Sequence, residues 1–126
     1  MLQIEKKKEI KMIKYDKDNI ESRVRSFVID SEFNYDLEER IKVLLNVIHS
    51  ERFIEAIKLC IDNNLCNTLI LQRHFSISYS SALAIMDSME ALDLITVWNP
   101  DDPANRKPLP EAEEFVLYWS TQGKAN

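Results

Sequence analysis

Three groups of side chains in this chain can do chemistry. The first are the soft metal ligands and proton carriers: Cys60, Cys66, His49 and His74. Cys60, Cys66 and His74 stand near one another in the chain, but a zinc site needs a fourth ligand and a recognised spacing, and neither is present. The cysteines are expected to pack as buried thiols, since a free thiol behaves as a small hydrophobe. The histidines are expected at a helix end and on a turn surface. The second group is the carboxylate pair Asp101–Asp102. It lies in a proline-rich turn with no base or metal partner, so a solvated turn is expected. The third is the hydroxyl cluster Ser78, Ser80 and Ser81, which forms no nucleophilic triad with any base in the sequence. The chain is therefore read as a non-enzyme, with no catalytic residue, no metal, no cofactor and no small-molecule substrate.

Composition narrows the choice further. One glycine in 126 residues excludes the glycine-rich loop that cradles nucleotide phosphates, and with it a P-loop motor. It also argues against an all-β fold built on tight turns. No stretch is long and apolar enough for a membrane span, and the lysine-rich start has no apolar run behind it to make a secretory signal. With two cysteines suited to a reducing compartment, a cytoplasmic location is expected. Net charge is −5. The first 18 residues hold six lysines against four acids, so the remainder is more acidic still.

The elements that must position these groups are mostly helical. Residues 1–18 read as a charged arm. Ile20, Val24, Phe27 and Val28 predict a helix over 19–31. Asn34 can cap a second, over 35–48, with Leu37, Ile41, Leu44, Leu45 and Ile48 on one face, as core or as a dimer seam. Ser50 can cap a third over 51–63. Asn67 can cap a fourth within 66–75, and Ser78 a fifth over 79–93, the two joined by a tight connection at 77–79. Tyr79, Ala82, Ile85, Met86, Met89 and Leu92 form the inner face of the fifth. Two short helices across such a turn are the mark of a helix-turn-helix. Residues 94–98 are β-branched and aromatic and predict a strand. Residues 99–105 are a turn, and Arg106 to Pro110 are expected to return as an edge strand, where prolines are tolerated. A last helix is expected over 111–121. The fold class so predicted is mainly α with a small β-hairpin wing, a winged helix-turn-helix preceded by N-terminal helices. Its divisions are the arm at 1–18, a helical segment at 19–50, the winged helix at 51–110, and a C-terminal helix and tail at 111–126.

The run Leu71-Gln72-Arg73, Phe75, Ile77, Tyr79, with Ala82, Ile85-Met86-Asp87, Met89-Glu90 and Ile95 at their spacings, resembles the gamma domain of FtsK/SpoIIIE-type DNA translocases. Lys107-Pro108 matches that family's wing, and Ala56-Ile57 with Cys60-Ile61 its entry helix. The resemblance covers about half of the chain, residues 51–110. It implies sequence-directed binding of double-stranded DNA. Carried over by position, Arg73 and His74 would approach the DNA backbone, Ser78, Ser80 and Ser81 would face the major groove, and Arg106 and Lys107 would hold phosphates from the wing. Four of these positions depart from the family: His74 replaces a base or lysine-like residue, and Ser78, Ser80 and Ser81 replace Gly, Asn and Arg. Ala84 stands at a further basic position, and Asp93 where the family ends the helix with glycine. The second helix has no Lys or Arg and carries Asp87 and Glu90, whereas phosphate and guanine contacts rely on those cations.

Two functions follow as expectations. One is a DNA-binding accessory or regulatory protein without its own motor. The other is a protein-interaction module that dimerises through 19–50 or docks on DNA-processing machinery, its acids standing in for DNA.

Overall fold

Helix starts in this chain are written by Asp, Asn and Ser, whose side-chain oxygens accept the backbone N–H groups left unpaired in a first turn. The computed structural model describes residues 15–31 and 36–119, which form six helices. Asp16 caps α1 (Lys17–Asp30) by accepting from Asn19 N at 2.8 Å. Asp36 caps α2 (Leu37–Ile48) through Glu39 N at 3.2 Å, so this helix starts after the expected cap, Asn34, which lies outside the described residues. Ser50 stands at the start of α3 (Glu51–Asn63) without capping it, its hydroxyl donating back to Val47 O at 2.6 Å. Asn67 caps α4 (Thr68–Phe75) through Ile70 N at 2.8 Å. Ser78 caps α5 (Tyr79–Ala91) through Ser81 N at 3.2 Å. Pro110 opens α6 (Pro110–Tyr118), where its missing N–H costs nothing.

Three of the six described helices end through a left-handed residue, and the glycine that usually supplies it is not there. Asn64, Ser76 and Asp93 take the positive φ angles instead, at 50°, 54° and 57°. Asp93, at the position where the resemblance expects glycine, is held by Arg23 of α1. Arg23 Nη2 donates to Asp93 Oδ2 at 2.7 Å and to Leu92 O at 2.9 Å.

The core is continuous through all six helices. Its centre is α5, which packs against α1, α2, α3 and α4, with α2 its principal neighbour. Ala82, Ala84, Ile85, Met86, Ser88, Met89 and Ala91 are all buried. Ile41, Leu44 and Ile48 of the α2 stripe are buried within this same core, Leu45 packs partly against it, and Leu37 is exposed. At the other end α6 packs on α3. Phe115 meets Phe53 edge-on at 5.6 Å, Tyr15 edge-on at 5.1 Å, and stacks on Trp119 at 5.2 Å. Tyr15, at the end of the expected arm, is thus a core residue; residues 1–14 of the arm lie outside the described residues.

The β-hairpin wing is not formed. Among the described residues there is no strand or sheet, only two isolated antiparallel bridges, Ile95–Pro108 and Cys66–Arg106. The expected strands at 94–98 and 106–110 meet only at Ile95–Pro108, flanked by Leu109 N donating to Leu94 O at 2.8 Å and Thr96 N donating to Lys107 O at 2.9 Å. The ladder stops there, because Lys107 N donates to Thr96 Oγ1 at 3.0 Å and Thr96 O accepts instead from the Arg106 guanidinium at 3.0 Å. On its other side Arg106 exchanges both backbone hydrogen bonds with Cys66, ahead of α4, at 2.8 and 2.9 Å. The fold is mainly α with an irregular loop over 94–109, and Val97 and Trp98 stand exposed on it.

Leu44 is fully buried where α2 meets α5. Leu44→Ala should lower unfolding stability by about 2–5 kcal/mol, read as a urea midpoint shift at constant slope. A loss near zero would mean that α2 does not seat on α5 in this way.

Candidate functional site

The five candidate residues around the α4–α5 turn lie together. Arg73 and His74 are exposed in the last turn of α4, the His74 ring edge-on to Phe75 at 4.8 Å. Ser78, Ser80 and Ser81 are exposed at the start of α5. Their hydroxyls bond one another, Ser78 Oγ lying 3.2 Å from Ser80 Oγ and 3.1 Å from Ser81 Oγ. The local sequence dictates this cluster, because Ser78 must turn inward to cap the helix and draws its neighbours with it.

Tertiary packing adds residues to this end that sequence reasoning missed. A groove of about 590 Å³ runs beside the first turns of α5. Ser80, Ser81, Ala84 and Ile85 form one side, Arg40, Val43, Asn46 and Val47 of α2 another, and Ser50 and Arg52 the end. Arg52 is exposed, with its guanidinium carbon 5.6 Å from the centre of the Phe75 ring. Arg40 bonds Asp87 Oδ2 at 2.6 Å. No spacing in the sequence links Arg40 or Arg52 to the serines; only the seating of α2 on α5 joins them.

The two wing candidates are elsewhere. Arg106 has only 11% of its side chain exposed, and its guanidinium pairs with Glu90 and donates to Thr96 O at 3.0 Å. Glu90 follows Ser80 by ten residues, so this pair lies roughly 15 Å along α5 from the serine cluster. Lys107 is exposed and its ammonium donates to Asn64 O at 3.1 Å, closing the end of α3. The structure therefore uses Arg106 as an internal clamp and does not bring it to the serines.

The acids of α5 face inward to arginines. Burial pushes the Asp87 carboxyl above its ordinary value, while the bond to Arg40 pulls it down. Ser88 Oγ is fully buried, donating to Ala84 O at 2.8 Å, with Leu44 O of α2 at 3.4 Å. Ala84, one of the positions at which the resemblance expects a base, is also buried. A signal for this was present in the sequence. A helix that is apolar or small nearly all round is a buried helix.

The remaining candidates for chemistry are inert or solvated. The hydrogen bond with Cys66 and burial push the Cys60 thiol well above its usual range, and Cys66 Sγ lies 3.8 Å from Met89 Sδ. Thiolate is the reactive form, so the Cys60 thiol is not poised to react. Burial, and next the Glu114 charge, push the Tyr15 phenol up to about 12. Asp101 and Asp102 are exposed in a turn folded on Asn99. His49 is exposed, its ring 5.5 Å from that of Trp119. No group of three or more His, Cys, Asp or Glu side chains converges among the described residues. No described helix is long and apolar enough to cross a membrane.

Comparison of the chain with family models, with curated proteins and with solved structures returned no match.

Two outcomes follow. Because the folded Asp87 carboxyl keeps its proton at a pH where the unfolded chain has lost it, its contribution to stability is full below the ordinary aspartate value. It is lost as pH rises through the raised folded value. Asp87→Asn should flatten that part of a plot of urea midpoint against pH; an unchanged plot would remove Asp87 as its source. Second, Arg106→Gln strands Glu90 in a largely buried place and should cost about 3–5 kcal/mol of stability. A solvated phosphate-binding arginine would instead leave stability within about 0.5 kcal/mol of wild type.

Proposed function

We propose that this chain is a protein-interaction module without catalytic activity, built on a helix-turn-helix pair whose reading face has been covered by its own N-terminal helices. One observation carries the reading: Ala84 and Ser88, on the face of α5 that would enter a major groove, are buried, with Ser88 bonded toward Leu44 of α2. A reading helix must present its side chains to base edges. Here only the first turn of α5 is exposed, and no Lys or Arg lies on the helix. The missing base at Ala84 then has a physical reason, because a small side chain there lets α2 approach. The net charge of −5 also disfavours a polyanion at long range.

The cations around the α4–α5 turn favour a second reading. Arg52, Arg73 and His74 are exposed close to the N-terminus of α5, and such a terminus attracts phosphate. In that reading the protein meets double-stranded DNA end-on, through its backbone alone.

A fluorescence-anisotropy titration of labelled random duplex at about 50 and 200 mM salt separates the two, since phosphate-driven affinity falls steeply over that range. The interaction reading expects no salt-dependent binding, and the same flat response from Arg73→Glu. Binding at the lower salt that collapses at the higher, and that Arg73→Glu abolishes, would overturn it in favour of DNA.

A further inference from the structure

We infer that the groove between α2 and the first turns of α5 takes an acidic peptide segment that carries an apolar side chain. The inference rests on the interaction reading above and names the chemistry of the partner. The groove has two characters at once. Val43 and Val47 are half-buried and supply its accessible apolar surface, while Ala84 and Ile85, which also line it, are almost wholly buried. Around it stand Arg52, Asn46, Ser50, Ser80 and Ser81, with Arg40, whose guanidinium is bonded to Asp87, and among the described residues no acid lines it. Arg52 is held in place over Phe75 and has no ion pair among the described residues. The positive pole of α5 opens onto the same space, where it adds to the attraction for a carboxylate.

This charge is local. A second groove of about 470 Å³, between α1 and α2, is lined by Glu21, Asp36, Glu38 and Glu39 along with Arg25 and Lys42. On a chain of net charge −5, a groove that holds Arg52 and is lined by no acid among the described residues is a point of complementarity to an anionic partner. The choice of peptide over nucleic acid comes from the apolar surface. It offers a phosphate backbone nothing, but it can bury a leucine- or phenylalanine-sized side chain while Arg52 and the α5 terminus hold a neighbouring carboxylate. The chain's own ends do not fit, since residues 1–14 carry five lysines against two acids and residues 120–126 carry one lysine and no acid.

The test is a selection of displayed random short peptides on the full chain, followed by titration of the enriched peptide as a fluorescein-labelled synthetic. Enriched sequences should place Asp or Glu within a few residues of Leu, Ile or Phe. Arg52→Glu should weaken the titrated peptide at least about tenfold. Ser81→Glu is the second variant. It places a carboxylate in the groove and completes a capping box with Ser78, so it should abolish peptide binding while keeping or raising thermal stability. Enrichment of neutral or basic peptides would overturn the groove assignment and leave the interaction reading standing, as would acidic peptides indifferent to both variants. Displacement of the peptide by unlabelled duplex, salt-sensitive and lost in Arg52→Glu, would overturn both.

Discussion

The carboxylates of Asp87 and Glu90 sit on a helix that the rest of the chain surrounds, and each is met by an arginine brought from far away in sequence. Arg40 of α2 binds Asp87, and Arg106 of the C-terminal loop binds Glu90. Just past the helix, Arg23 of α1 binds Asp93 and the last carbonyl of the turn. A charge withdrawn from water must be paired, so these contacts are conditions for α5 to be central at all. The three arginines come from three different segments. Docking of α1, docking of α2 and closure of the loop are therefore tied to one helix. The match is incomplete, since Arg23 Nη1 and Arg106 Nε are buried without a hydrogen-bond partner among the described residues. The arrangement thus buys register and orientation more than stability.

That constraint explains the loop over 94–109. Its leading residues, Leu94 and Ile95, are buried like the interior of a sheet, and Thr96 N and Lys107 O are 2.9 Å apart. A ladder begins but does not extend. Arg106 turns its side chain to Glu90 and to Thr96 O, and Lys107 N goes to the Thr96 hydroxyl, so the second backbone bond between Thr96 and Lys107 is not made. The same contacts withdraw Arg106 from the surface, where an isolated reading of basic residues would place it. Asn67, which caps α4, also donates to Asn105 at 3.0 Å, so the loop is fastened at the start of α4 as well.

Much of this was legible from residue order. Each of the six helices follows from apolar spacing. The caps at Asn67 and Ser78 follow from side chains that can accept from a first turn, and the clustering of Ser78, Ser80 and Ser81 follows from the cap. Asp36 replaces Asn34 as a cap by the same chemistry two residues later. What misled was the treatment of charge as a surface property. Asp87 and Glu90 read as acids on the helix that would enter a DNA groove, and Arg106 as a base holding phosphate from a wing. All three are largely buried and paired. Tyr15, beside a run of lysines, gave no local sign that it would lie against Phe115 and Tyr118.

By itself, the sequence determined where helices begin and run, that the chain has no glycine loop for phosphate, and that the α4–α5 pair is joined by a short capped turn. These are decided within one or two turns of chain, by periodicity and by hydrogen bonds to near neighbours. The tertiary structure alone decided which face of α5 is free, that Arg40 and Arg52 share a groove with Ser80 and Ser81, and that no wing forms. Those outcomes depend on contacts between residues tens of positions apart. There the small side chains of α5 admit α2, and its acids must find arginines to leave water.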